Sequence, residues 1–445
     1  PSPDWYYNVE YMEEIKRGYD GHEDLFVPGF FELSIKKGES IVLSAATSEQ
    51  SPTSLLRKFN AEIEKRPKKD SFCSSLKNSA KQFIIQKDKR NEIIAGFPWF
   101  GSWGRDSFIS LPGLTLCLRD EKSFKAVMET LLHDLKQGLF PNTGNSSSQA
   151  FNSVDAPLWF FWTIQQYASY TKDAKTVWTE YGKKLKEVLN GFRNGLPFNI
   201  KMHDNCLIWA GEKGYALTWM DAIVHGKPVT PRIGYPVEIN ALWYNAIMFT
   251  IELATANNDK KFVKEWKPIA NKVKESFNQT FWLPNEGYLA DYVDEEGANS
   301  DIRPNQIFAV SLPYSPLSDE QMMSILNIVD HELYTPKGLR TLSPKHPYYK
   351  GRYEGDQSTR DSAYHQGTAW PWLLGHYVEA HFKLHGKSAI SLAQRIVDSF
   401  EEDMNIYGIS SVAEVYDGDP PQRPNGCISQ AWSVAELIRI IKMIK

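Results

Sequence analysis

Trp370-Pro371-Trp372-Leu373-Leu374-Gly375-His376-Tyr377 is apolar nearly all round, and the chain that follows it is not. After His385-Gly386-Lys387, the segment from Ser388 to Asp403 sets a charged face opposite an apolar one. A helix with no polar face belongs inside a core, and an amphipathic one belongs at its surface. The two stretches therefore read as an inner helix turning tightly into an outer helix. Ala156-Pro157-Leu158-Trp159-Phe160-Phe161-Trp162 is a second stretch of the inner kind.

The same alternation runs through most of the chain. Helical periodicity predicts twelve helices, over 76–88, 106–119, 121–137, 153–171, 173–194, 236–256, 259–280, 303–314, 319–332, 366–384, 387–403 and 428–444. Short connections join the second to the third at Arg119-Asp120-Glu121, the fourth to the fifth at Thr171-Lys172-Asp173, and the sixth to the seventh at Asn257-Asn258-Asp259. The connections that lead into the even-numbered helices are long and rich in Gly, Pro, Trp and Tyr. Six such hairpins, with their long loops at one end, describe a mainly α protein built as an (α/α)6 barrel. The loops meet where the inner helices begin and their first N–H groups are unpaired. A functional site is expected there.

Residues 1–71 read differently. Phe30 to Ser44 alternates apolar and polar residues around Lys37-Gly38, as a β-hairpin does. Tyr6 to Tyr19 reads as a short helix or linker, and Lys58 to Asp70 as a linker helix. A lone hairpin is marginal in isolation. The expected division is thus a short β-rich N-terminal segment over 1–71, the remnant of a β-sheet domain, and a helical domain over 72–445.

The bulk numbers exclude several classes. A chain of 445 residues with 42% hydrophobic and 23% charged residues is an ordinary globular protein. A net charge of −4 without a long basic run argues against nucleic acid as a partner. No apolar run approaches the roughly 18 residues that span a bilayer, so no membrane partner is expected either. Cys73, Cys117, Cys206 and Cys427 are too scattered to signal a metal site or a disulfide framework. Their scatter fits a reducing compartment, and with no signal-peptide pattern a cytoplasmic location is expected. The chain opens at Pro1-Ser2-Pro3 without Met, as a fragment or processed form does. Aromatic residues make up 13%, with 14 Trp and 21 Tyr, a share that both large cores and sugar clefts consume.

The long loops hold the candidate chemistry. The first is Gly96-Phe97-Pro98-Trp99-Phe100-Gly101-Ser102-Trp103-Gly104-Arg105-Asp106. Gly and Pro break both helix and strand here, leaving a rigid loop with Trp99 and Trp103 beside an Arg105-Asp106 pair. Sugars ask for flat apolar faces next to bidentate hydrogen-bonding groups; a buried ion pair under an aromatic lid is the plainer alternative. The second loop runs from Gly144-Asn145 to Asp155, where Ser153 and Asp155 suit either a helix start or a site. The third holds Trp219-Met220-Asp221 and Glu238. Apolar neighbours raise a carboxyl pKa, as a general acid requires, although a turn would also use Asp221 and a first helical turn would also favour Glu238. The fourth carries Asp291, Asp301, Arg303 and Gln306, informative only as polarity. The fifth brings His365, Gln366 and Trp370, where His365 is either a ligand contact or a structural residue. The sixth sets Glu414 among apolar neighbours, while Asp417 and Asp419 read as turn formers beside Gly and Pro. Asp221 and Glu414 facing each other across the mouth fit inverting glycoside hydrolysis, in which two carboxyl groups stand roughly 6.5–9.5 Å apart.

Several of these stretches together resemble the glucosidase (amylo-α-1,6-glucosidase) domain of glycogen debranching enzymes of the bacterial and archaeal type, related to glucoamylase-like hydrolases. They are Phe97 to Ser110, Thr218-Trp219-Met220-Asp221-Ala222, Pro236 to Trp243, Tyr364 to Trp372 and Glu414-Val415-Tyr416-Asp417-Gly418, spread over roughly 72 to 445. The resemblance implies an (α/α)6 barrel that removes α-1,6-linked glucose with inversion, with Asp221 as general acid and Glu414 as general base. It also implies that Arg105 and Asp106 hold the terminal glucose, and that residues 1–70 are the end of the β-rich domain preceding the barrel. No transferase region is expected within these residues. Trp99, Trp103, Trp219 and Trp370 are expected to stack on sugar rings, with Asp155, Glu238, His365 and Gln366 as further substrate contacts and no cofactor or metal. The expected partner is an α-glucan or oligosaccharide. Two other readings stay open: an exo-acting enzyme on α-1,4 ends or other α-glucosides, and a non-catalytic glucan-binding protein, which has no need of both Asp221 and Glu414.

Overall fold

Side-chain caps sort the helices into two sets. The computed structural model describes residues 2–66, 68, 70–143 and 149–445. In chain order its helices are α1 (Met12–Lys16), α2 (Leu55–Lys65), α3 (Phe72–Phe83), α4 (Gly104–Leu114), α5 (Glu121–His133), α6 (Ala156–Thr171), α7 (Ala174–Asn194) and α8 (Val237–Ala256). They continue as α9 (Lys260–Phe281), α10 (Ile307–Ser311), α11 (Asp319–Ile328), α12 (Gln357–Ala363), α13 (Leu373–His385), α14 (Ile390–Ser399), α15 (Asp403–Ile406) and α16 (Ala431–Ile444). At α3, α5, α7, α9 and α11 the side chains of Ser71, Asp120, Asp173, Asp259 and Ser318 accept a backbone N–H three residues on. Each such cap contributes about 1 kcal/mol. Among the described residues, α4, α6, α8, α10, α13 and α16 begin with no side-chain cap.

The uncapped set forms the inside. Contacts run from α4 to α6, α8, α10, α13 and α16 in turn, and α16 returns to α4. The capped helices lie against them: α3 on α4 and α16, α5 on α4, α7 on α6 and α8, α9 on α8, and α11 on α10 and α13. The uncapped α14 completes the outer set, on α13 and α16. The protein is thus mainly α. Its centre is aromatic, with Trp159 of α6 meeting Trp162, Phe308 of α10 and Trp372 edge-on at 5.3–6.1 Å. Burial at these positions, rather than local propensity, supplies most of the stability.

The predicted helices and the observed ones correspond throughout 72–445, and the boundaries differ for local reasons. The first begins four residues earlier because Ser71 and Ser74 form a reciprocal cap. It ends at Phe83 because Ile84–Lys87 turns back as a strand on Arg90–Ile93. The eighth shrinks to one short helix between Pro304 and Pro313, since proline fits the start of a helix and restricts the residue before it. The tenth starts only at Leu373, because Ala369–Trp370 is the middle strand of a five-stranded sheet. In that sheet Leu339 pairs with Trp370, and Ala369 with both Arg340 and Tyr416. The helix α12 in the fifth loop has no counterpart in the periodicity reading.

The N-terminal expectation is corrected. The hairpin lies earlier, pairing Asp4–Glu10 with His22–Val27 around α1, over part of the stretch read as helix or linker. Phe30 to Ser44 holds only a turn, and Phe30, Phe31, Leu33, Ile35, Ile41 and Leu43 stay exposed. An alternating pattern becomes a strand only where a partner strand supplies the ladder. The linker helix is present as α2, shifted toward the N-terminus.

Where α4 meets α16 the ring closes on a glycine. A Cβ at Gly113 comes 2.2 Å from the carbonyl oxygen of Ala435, backbone that cannot rotate away. Gly113→Ala is expected to destabilise the protein by about 1–3 kcal/mol, read as a lowered denaturation midpoint. Gly101→Ala, with nothing within 4 Å, is expected to leave that midpoint unchanged.

Candidate active site

Four of the six long loops, the first, third, fifth and sixth, line one cavity, while the second and fourth contribute no lining residue. The cavity encloses about 230 Å³, and its walls include Trp99, Trp103, Arg105, Asp106, Trp219, Asp221, Tyr364, Trp370 and Glu414. Two short pairings hold the loops in place. Gly96–Phe97 pairs with Ser429–Gln430 just before α16, and Val415–Tyr416 joins the sheet that contains Trp370.

Arg105, in the first turn of α4, is 2% exposed. Its Nε donates to Asp155 Oδ2 at 2.7 Å and its Nη1 to Asp221 Oδ2 at 2.8 Å. Burial works against its charge, but Asp155 and Asp221 hold its pKa above the ordinary value. Its Nη2 is buried without a partner among the described residues. Asp155 itself accepts from Ser153 Oγ at 2.5 Å, and Ser153 Oγ, two residues ahead of the N-cap position, accepts the N–H of Ala156 at 3.2 Å. Asp155 therefore reaches the cavity only through Arg105. Gly144 and Asn145, expected to open that loop, lie outside the described residues.

Four carboxyl groups in the cavity have raised pKa values: Asp361, raised by burial, and three that act on one another. Burial pushes Asp106 up to about 8, against the pull of Arg105 and with the help of Asp221 and Glu414. Burial also raises Asp221, again opposed by Arg105. Glu414 is pushed up to about 7 by burial, while two donors favour its ionised form. The Tyr364 hydroxyl donates to its Oε1, and the Cys427 N–H donates to Oε2 at 2.8 Å. Burial raises all three, and they differ in what opposes it: Arg105 at Asp106 and Asp221, hydrogen-bond donors at Glu414.

Aromatic groups complete the walls. Trp99 is 53% exposed, whereas Trp219 and Trp370 are each 2% exposed and meet edge-on at 5.5 Å. Trp219 is fixed by a 2.7 Å bond from its Nε1 to Asn305 Oδ1, and Asn305 Nδ2 donates to Asp291 Oδ1 at 2.7 Å. Asp291 in turn accepts from Arg232, which is also paired with Glu238.

Besides Asp155, three expected substrate contacts do not line the cavity. Glu238 is buried, and each of its carboxylate oxygens accepts an N–H from Arg232. His365 is fully buried, stacked on Trp370 at 5.3 Å, with both ring nitrogens unpartnered among the described residues. Burial first, then Arg303 and Arg105, hold its pKa well below the ordinary value, so it is neutral. Gln366 Oε1 accepts from Arg303 Nη2 at 3.0 Å. Asp417 is corrected too. It is a buried acid, not a turn former, taking Arg423 Nε at 2.7 Å and the Tyr353 N–H at 2.9 Å.

The cavity also contains residues the sequence reading did not assign. Tyr353, Asp361, Tyr364, Gln430 and Trp432 line it. Gln430 and Trp432 start α16, and the rule that inner helices begin at the site was itself the signal for them. Asp361 sits on α12, which no periodicity announced. Among the described residues no group of three or more His, Cys, Asp or Glu is arranged to hold a metal, and no helix is long and apolar enough to cross a membrane.

Indole rings, several acids and one buried guanidinium thus line a single cavity. The chain belongs to the amylo-α-1,6-glucosidase family, whose model matches residues 76–439. A second model, described as the N-terminal part of glycogen debranching enzyme, matches residues 1–42. The chain is also 26% identical over 405 residues to a glycogen debranching enzyme of Saccharomyces cerevisiae. That match covers 69% of this chain and 26% of the yeast protein, so the chain spans about a quarter of that relative's length.

The raised pKa of Asp106 has a consequence for stability. Its carboxyl moves from 3.8 to about 8 on folding, so the folded state holds a proton that the unfolded state has lost. This contribution is fully present below the unfolded value and declines as pH rises toward the folded one. Asp106→Asn removes that titration, and its stability relative to the parent is expected to improve steadily between those two pH values. Denaturation midpoints across that range check this.

Proposed function

We propose that this chain is an inverting glycoside hydrolase, built as an (α/α)6 barrel over residues 72–445. It releases α-1,6-linked glucose at branch points of glycogen or a related α-glucan. The observation that carries the reading is that Asp221 and Glu414, from loops three and six, line one cavity with the Arg105–Asp106 pair. The family match and the debranching-enzyme relative support the substrate class.

In this mechanism Asp221 donates its proton to the glycosidic oxygen as the C1–O bond breaks. Glu414 takes a proton from water, and the water oxygen forms its bond to C1 on the opposite face. Both donors on Glu414, Tyr364 and the Cys427 N–H, favour the carboxylate that a base needs. Asp221 is enclosed and its pKa is raised, as an acid needs. Arg105 and Asp106 orient the terminal glucose, and Trp99, Trp103, Trp219 and Trp370 give it apolar faces. The reaction needs only water and these carboxyl groups. Four unpaired thiols suit a reducing compartment, and we read the chain as cytoplasmic.

The test is glucose release from a 6-O-α-glucosyl maltooligosaccharide. Asp221→Asn and Glu414→Gln are each expected to lower kcat by about 10²–10⁴ with KM little changed. Release only from α-1,4 ends would overturn the linkage. Binding of glucans without turnover would make the chain a binding protein.

A further inference from the structure

A second set of groups meets at the cavity rim, and it comes from the N-terminal segment. The Arg17 guanidinium lies over the Trp99 ring, 4.9 Å from its centroid. Trp99 is the half-exposed aromatic wall of the cavity. Arg17 follows α1 directly, and its position is fixed from the other side by Arg360 of α12. Arg360 Nη1 donates to the Arg17 carbonyl oxygen at 2.9 Å, and Nη2 donates to the Tyr19 hydroxyl at 3.0 Å. The Arg360 guanidinium also stacks on the Tyr19 ring at 5.4 Å. Between these two residues Gly18 has φ +75, and a Cβ there would come 2.8 Å from Asp356 Cβ at the start of α12. The turn at 17–19 is therefore seated against α12 at close range. The cavity wall continues from α12 through Asp361, and Tyr353 of that wall also neighbours Arg360.

We propose that Arg17 and Tyr19, with Trp99, form a rim subsite for the glucan chain that leaves when the terminal glucose is cleaved. The inference rests on the hydrolase reading above for the direction of the chain. Arg105 and the acids occupy the inner end of the cavity and take the glucose that is released. The leaving oligosaccharide then has to pass the rim, where Trp99 is exposed. A half-exposed indole presents an apolar face to a sugar ring, and a guanidinium held on it restrains its rotation while offering in-plane donors to hydroxyl groups. Arg17 thus acts as a specificity-determining residue supplied from outside the helical ring, and it has no part in bond cleavage.

The test compares two substrates on the full chain. α-Glucosyl fluoride fills only the inner end, because its leaving group is a single atom. A 6-O-α-glucosyl maltooligosaccharide fills both ends. Arg17→Ala is expected to raise KM for the branched saccharide by about three- to tenfold, with kcat/KM for the fluoride within about twofold of the parent. Equal losses on both substrates would show a merely structural role and overturn the proposal, as would no change on either. If the parent hydrolyses neither substrate, the hydrolase reading fails on its own, and maltohexaose binding by calorimetry then decides. Weaker binding by Arg17→Ala supports the subsite, and equal binding overturns it.

Discussion

The pairing of Arg105 with Asp155 and Asp221 governs the rest of the site. A buried guanidinium is tolerable only when carboxylates meet it at hydrogen-bond distance, and here two loops must converge to supply them. The first turn of α4 thereby fixes both the entry to α6 and the loop carrying Asp221. Asp155 is consumed by this task, whereas Asp221 also lines the cavity. Among the described residues, one nitrogen of that guanidinium has no protein partner.

A second buried cluster does the corresponding work on the opposite side. Arg232, Glu238, Asp291 and Asn305 connect the third loop to the fourth, and the cluster ends at the indole nitrogen of Trp219. Arg303 extends it to the backbone of His365 and the side chain of Gln366. The second and fourth loops thus hold their neighbours still, while the first, third, fifth and sixth face the cavity. Buried polar bonds of this kind keep acids and aromatics in register.

How much of this was legible in the sequence follows from the same division. The helices were readable because the inner ones lack a polar face while the outer ones carry a charged one. Asp221, Glu414, Arg105 and the tryptophans were readable because each stood in an unusual local mixture. What sequence does not separate is a polar residue facing a cavity from one facing another loop: Glu238, Gln366 and Asp417 have the composition of ligands but bond to arginines from elsewhere in the chain. His365 stays open between a ligand contact and a structural residue in the sequence, since only the fold shows that aromatic rings enclose it. The stretch from Phe30 to Ser44 had the period of strands but no partner ladder, and period alone does not supply one. Arg17 lay beyond reach because its meaning depends on Trp99, more than eighty positions along the chain.

The central claim is that two carboxyl groups act from opposite faces of one sugar. Its most direct test is proton NMR of glucose in the first moments of hydrolysis of a branched oligosaccharide, before mutarotation mixes the anomers. The account predicts that β-glucose forms first from the α-linked substrate. If α-glucose forms first, water does not enter opposite the leaving group, and the pairing of Asp221 with Glu414 as acid and base is wrong.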